Sequence, residues 1–292
     1  MNLFRLPSAG RLLAGVLSLG LLLGASVALA DAPVRVYVAS TGSDGAVGSR
    51  TAPKRTFQAA HDAVAAGGEI VVLDTAGYGV LLINKSVTVT VPPGVNGFIV
   101  PNIDPSHSTF GVRVDAASTD VVTLRGLVIT GTDPSAPVVG IDMFTVGTLR
   151  VEDCTLSRMQ IGIRAFGGLN PYLIVTRSRA YDLMIGIGAV FPTEMMVTDC
   201  KIDGCSSDGI YVNNNGSSSP STVTVSRCAL SDCDNGIRMR GEGATAYVDG
   251  CTIFANNYGV ATNNNGFLIT RGNNSFAGNV NDGAFVASIP AR

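Results

Sequence analysis

The sequence predicts an all-β fold, a single-stranded right-handed parallel β-helix of about eight to ten rungs, and three observations carry that prediction. A Gly-aliphatic pair recurs at Gly111-Val112, Gly140-Ile141, Gly162-Ile163, Gly186-Ile187, Gly209-Ile210, Gly236-Ile237 and Gly259-Val260, with a degenerate Gly283-Ala284 last. The start-to-start spacings are 29, 22, 24, 23, 27, 23 and 24 residues. A second pattern runs between the pairs: Val151 to Leu156, Val175 to Ala180, Val197 to Ile202, Val225 to Leu230 and Val248 to Ile253, each with Cys or Ser at its fourth place. Both halves alternate with period two, as half-buried strands do, and show no helical period. Composition agrees, because 14% charged residues and 35 Gly in 292 depart from the roughly 25% and 7% of an ordinary soluble domain.

Three segments are expected: a leader over 1–30, an N-terminal strand and capping helix over 31–69, and the solenoid over 70–292. Arg5 and Arg11 precede an apolar run from Leu12 to Ala25, and Ala28-Leu29-Ala30 ends it. A basic start, an apolar centre and small residues before a cut describe a secretory signal peptide. Its removal leaves 18 Lys and Arg (20 minus 2) against 22 acids, a charge of −4. That balance excludes the basic footprint of a nucleic-acid-binding domain. The expected protein is secreted or periplasmic, with no stable membrane insertion after cleavage. Val36 to Val38 reads as a strand, and Thr56 as the N-cap of an Ala-rich helix that buries Phe57, Ala60 and Val64.

A leucine-rich repeat has a similar unit length but needs Leu and Asn where this chain has Val, Ile and Cys. In a parallel β-helix, Val112, Ile141, Ile163, Ile187, Ile210, Ile237 and Val260 stack about 4.8 Å apart as an interior column of β-branched residues. Asp208-Gly209, Asn235-Gly236 and Asp282-Gly283 read as turns. The triplets Asn213 to Asn215 and Asn263 to Asn265 read as amide ladders first and as sugar-binding amides second.

With these residues in place, the chain resembles the right-handed parallel β-helix proteins of the pectate-lyase-like superfamily. The run Gly42-Ser-Asp44, Pro53, Thr56-Phe57 ahead of a short helix is similar to the start of many exported members. The resemblance spans about residues 33–285 and implies fold rather than reaction.

Two outward columns carry the candidate site. The second place after the repeat Gly holds Arg113, Asp142, Arg164, Gly188, Tyr211, Arg238 and Ala261, and two places on are Asp115, Phe144, Phe166, Val190, Asn213, Arg240 and Asn263. Guanidinium for carboxylates and rings for sugar faces suit an acidic polysaccharide. The expected binding residues are therefore Arg113, Asp115, Asp142, Phe144, Arg164, Phe166, Tyr211, Arg238 and Arg240. Arg164, Arg238 and Asp142 are the weak catalytic candidates. Alternating sign is equally what stacked strands favour for register, and Asp153, Arg177, Asp199, Arg227 repeat the pattern in another column. The resemblance implies a calcium-assisted lyase, but calcium needs six to eight oxygens and a third carboxylate beside Asp115 and Asp142 is missing. Lys54, Lys85 and Lys201 lie elsewhere, and Arg makes a poor base. The Asp-Asp and His-Gly signatures of β-helix polygalacturonases are absent. His61 reads as a helix-face residue and His107 as a loop residue, neither with metal-ligand spacing.

Cys200, Cys228 and Cys251 share one column with Cys154 and Ser178, and Cys205 with Cys233 make another. Stacking holds parallel side chains about 4.8 Å apart, wider than the Cβ separation of about 3.8 Å that a disulfide favours. They read as buried small hydrophobes, with Cys205–Cys233 as the one pair a backbone bend would join. Two functions remain open: engagement of an extracellular polysaccharide, with a lyase as its enzymatic form, or a non-catalytic structural, adhesive or binding solenoid.

Overall fold

A computed structural model describes residues 32–101, 109–166, 171–190, 192–214 and 216–289. The leader, His107 and Asn215 lie outside the described residues. The strands wind into a parallel solenoid of about eight turns, with one sheet of eleven strands and one of fourteen among the described residues. Every pairing between these strands is parallel, and each joins a strand to its equivalent one turn away.

The aliphatic columns form as expected. Val112, Ile141, Ile163, Ile187, Ile210, Ile237 and Val260 pair in sequence, and none is more than 1% exposed. Val151, Val175, Val197, Val225 and Val248 do the same on the eleven-stranded sheet. Each such side chain contributes about 1.5–3 kcal/mol by leaving water. Among the described residues, no helix is long and apolar enough to cross a membrane.

Each turn bends at single left-handed residues. One corner column, which includes the residue before each Cys or Ser of the repeat, is Gly126, Asp153, Arg177, Asp199, Arg227, Gly250 and Gly272, all with φ between 48° and 82°. A second column holds Arg158, Asp182, Gly204, Asp232, Ala255 and Gly278, with φ from 55° to 65°. Arg158, Asp182 and Gly204 lie inside the long strands Thr155–Phe166, Arg179–Val190 and Lys201–Asn213, so each of these strands turns a corner.

The expected turn at Asp208-Gly209 is instead strand interior, and Asn235-Gly236 opens the strand Asn235–Arg240. Their glycines answer to close approach rather than to φ. A Cβ on Gly140, Gly162, Gly186, Gly209 or Gly236 would lie 2.5–2.6 Å from the carbonyl oxygen of the next repeat Gly. Among the described residues, the two Asn triplets do not stack on each other as a ladder. Asn213 and Asn263 are separated by Arg240, and Asn214 closes its own loop through Ser219 and Ser221 while donating to the Glu242 carbonyl. The amide ladder lies at Asn256 and Asn279, joined Nδ2 to Oδ1 at 3.0 Å.

The helix is Phe57–Ala63, and Thr56 caps it by accepting from the Ala59 amide at 3.2 Å. The Asp44 carboxylate in turn accepts from the Arg55 and Thr56 amides and the Thr56 hydroxyl. The Gly-Ser-Asp run is thus a clamp on the helix start. The helix does not stand at the end of the stack as a cap: the strand Arg35–Val38 precedes it and forms the edge of the eleven-stranded sheet. His61 lies on its buried face, 2% exposed, with no partner for Nε2 among the described residues, and burial lowers its pKa.

All six cysteines are free and buried. Cys154, Cys200, Cys228 and Cys251 each point Sγ at the carbonyl of Leu124, Val175, Val197 or Val225 one turn back, at 3.5–3.6 Å. Burial pushes the Cys154 thiol up to about 12, so it packs as an inert thiol. Cys205 and Cys233 are likewise unbonded thiols.

Candidate functional site

The outward strip lies on the fourteen-stranded sheet, where register brings the charged residues of successive turns together. Asp142 pairs with Arg113 on one side and Arg164 on the other. Arg164 Nε donates to Asp142 Oδ1 at 2.9 Å, and Arg113 Nη1 lies 3.5 Å from Oδ2. The outward column predicts a solvent-facing Asp142, but these two guanidiniums cover it to 1% exposure. A carboxylate so enclosed cannot reach a substrate.

The aromatic residues are also occupied. The Arg113 guanidinium sits 4.1 Å from the Phe144 ring centre and Arg164 sits 5.3 Å from that of Phe166, while the two rings stack at 6.1 Å. Cation–π contact of this kind stabilises by about 0.5–2 kcal/mol. Asp115 leaves its expected column: a bulge between Met143 and Thr145 sets it opposite Thr145, whose hydroxyl donates to it at 2.6 Å. Asp115 and Asp142 therefore hold different partners and make no acidic pair.

Gly188, paired with both Arg164 and Tyr211, interrupts the strip. Beyond it a second cluster forms around Asp208, which is fully buried. Its Oδ2 accepts from Arg238 Nη2 and from the Ser207 hydroxyl. Its Oδ1 has no hydrogen-bond partner among the described residues. Burial raises the Asp208 pKa against the opposing pull of Ser207 and Arg238. Tyr211 lies 4.8 Å beneath the Arg238 guanidinium, and Arg240 is exposed at the strand end.

At this end the sheet opens into a hollow of about 510 Å³ whose walls include Asp234, Asn235, Arg238, Tyr258, Asn263 and Asn281. Asn235 reaches Asp234 Oδ2 at 3.1 Å, and Asn257 holds Oδ1 at 2.9 Å. Tyr258 is 46% exposed. Of the expected residues, only Arg238 lines this hollow. The sequence does carry a signal for the rest. The column just before the repeat Gly reads Phe110, Val139, Ile161 and Ile185, then changes to Asp208, Asn235 and Tyr258.

The donor set does not fit calcium. Asp142 and Asp208 are committed to arginines, and no group of three His, Cys, Asp or Glu side chains is placed to hold a metal among the described residues.

The fold is a parallel β-solenoid that carries this polar face on its fourteen-stranded sheet. The model of the right-handed beta helix region matches residues 110–284, more than half of the chain. The chain belongs to that family. Among solved structures it is similar to pectate lyase Pel9A (18% identity, TM-score 0.64, 81% of this chain and 67% of that one). It is also similar to XylC in complex with xylose (11%, 0.61, 81% and 65%) and to a rhamnogalacturonan lyase (14%, 0.55, 81% and 66%). The chain thus spans about two thirds of these proteins, and the likeness establishes the fold alone. No curated protein matches it in sequence.

Proposed function

We propose that this is an exported, non-catalytic solenoid that binds an acidic polysaccharide along the outer strip of the fourteen-stranded sheet, anchored in the hollow at Arg238. The hollow is the observation that carries this reading. It combines a cation, a carboxylate, amides and an exposed ring, the groups that recognise sugar carboxylates, hydroxyls and ring faces. A guanidinium has five N–H donors, and Asp208 takes the one at Nη2, so others remain for a ligand carboxylate. Asp208 and Tyr211 fix the guanidinium before any ligand arrives, which reduces the entropy lost on binding. Arg113 and Arg164, half-buried over Asp142, continue the strip with a net charge of +1.

Binding without cleavage is favoured by the state of the carboxylates. A lyase needs a base within about 2.6–3.2 Å of the proton it removes. Asp142 and Asp208 lie beneath guanidiniums, and Asp234 is held by two amides. The protein should bind acidic polysaccharides saturably in a panel of neutral and acidic polymers, with or without calcium, while ultraviolet absorbance detects no unsaturated product. Arg238→Ala with Arg240→Ala should remove the binding that this hollow supports, read as the loss of a ligand-induced emission change from a Trp placed at Tyr258. Product formation would overturn the non-catalytic reading, and failure to bind any acidic polymer would overturn the function itself.

A further inference from the structure

The second charged column, on the corner beside the eleven-stranded sheet, alternates Asp153, Arg177, Asp199, Arg227 and then stops at Gly250. Arg177 chelates Asp153 at 2.8 and 2.9 Å, and Arg227 chelates Asp199 at 2.7 and 2.9 Å. Both pairs engage Nε and Nη2. Where the alternation calls for a further acid above Arg227, Gly250 provides no side chain. The nearest atoms to a Cβ built there are Arg227 Cγ at 3.7 Å and Asn273 Nδ2 at 3.8 Å.

Next to Arg227 lies a hollow of about 620 Å³ on the outer face of the eleven-stranded sheet, whose walls include Thr224, Ser226, Arg227, Tyr247, Asp249, Arg271 and Asn273. Tyr247 is 37% exposed. Unlike Phe110, Phe144, Phe166 and Tyr211 on the other sheet, its ring has no guanidinium over it among the described residues. Arg271 is exposed and makes no ion pair among the described residues. Asp249 is half-buried and accepts from Asn273 Nδ2 at 2.7 Å.

We propose that this hollow is a second saccharide site, specific for a uronic-acid residue, and that one molecule can therefore hold two polysaccharide chains on two different sheets. The free face of Tyr247 suits the C–H face of a pyranose. Arg271, with no ion-pair partner to displace, suits the uronate carboxylate in bidentate geometry. Asp249, Asn273, Thr224 and Ser226 offer acceptors and donors to the hydroxyls. This goes beyond the function proposed above, which uses the fourteen-stranded sheet and none of these residues.

The chain has no Trp, so Tyr247→Trp installs a single local emitter in this hollow and Tyr258→Trp installs one in the other. Each variant is titrated with a short oligogalacturonate and with a neutral xylo-oligosaccharide. Emission at position 247 should change saturably with the oligogalacturonate alone. Arg271→Ala should abolish that change, and Arg238→Ala should leave it intact. Silence at 247 with a response at 258 would overturn this inference and leave the first site standing. A response at 247 with silence at 258 would support the inference and remove the first site. Equal response to the neutral sugar would overturn recognition of the carboxylate. Calorimetry on the unsubstituted protein gives a second reading. The stoichiometry should be two and fall to one with Arg271→Ala, whereas a stoichiometry of one that this variant leaves unchanged would contradict the site.

Discussion

Each repeat glycine from Gly111 to Gly236 lies against the carbonyl oxygen of the next repeat glycine, and this crowding explains a feature that the sequence shows only as spacing. The periodic Gly-aliphatic pair is legible without a structure, but its cause is not, because the contact runs between turns 22 to 29 residues apart. Gly186 and Gly188 make a matched test within one strand. A Cβ at Gly186 would meet Gly209 O at 2.6 Å and Ile202 Cγ2 at 2.7 Å, whereas at Gly188 its nearest neighbour is Ile185 Cγ2 at 3.4 Å. Gly186→Ala should destabilise the protein by about 1–3 kcal/mol, as overpacking of an interior does. Gly188→Ala should stay within about 0.5 kcal/mol. Chemical denaturation of the two variants checks this, and equal losses would show that close approach does not explain the repeat.

Strands and corners divide the work of holding register. Interior Val and Ile columns supply burial, while the corner residues set the bend and the alternation of Asp and Arg selects the neighbour. The Asp153 and Asp199 pKa values are lowered first by hydrogen bonds from Arg177 and Arg227. A carboxyl depressed in the folded state contributes stability above its unfolded pKa of about 3.9, and this is lost as pH falls through the folded value. Arg177→Asp would place a new carboxylate between Asp153 and Asp199, stacking three acids in a row, and should lower the melting temperature at pH 7. The deficit should shrink below about pH 4 as the carboxylates take up protons, and also in high salt. Melting curves across pH and ionic strength check both effects, and a deficit independent of either would rule out charge as its cause. The alternation was readable from sequence because stacking converts equal spacing into contact. The left-handed backbone at Arg177 and Arg227 was not, since that conformation favours Gly, Asn and Asp.

At the scale of the molecule, the solenoid, its parallel register and its interior columns were legible because they depend on periodicity, which survives in any aligned stretch of the chain. The candidate site was legible only in part. Spacing placed Arg113, Asp142, Arg164, Tyr211 and Arg238 in one column, but it could not show that Asp142 and Asp208 are buried by their own arginines. Nor could it show that a bulge moves Asp115, or that the open hollow lies past Gly188 at Arg238 and Tyr258. Those facts arise from side-chain length and local register rather than period. The most direct test of the polysaccharide-binding claim is a calorimetric titration of the protein and of its Arg238→Ala variant with a short oligogalacturonate. The account predicts saturable binding at the Arg238 hollow that the variant weakens at least about tenfold, a loss of about 1.4 kcal/mol. Affinity unchanged by Arg238→Ala, or no binding by the unsubstituted protein, would contradict it.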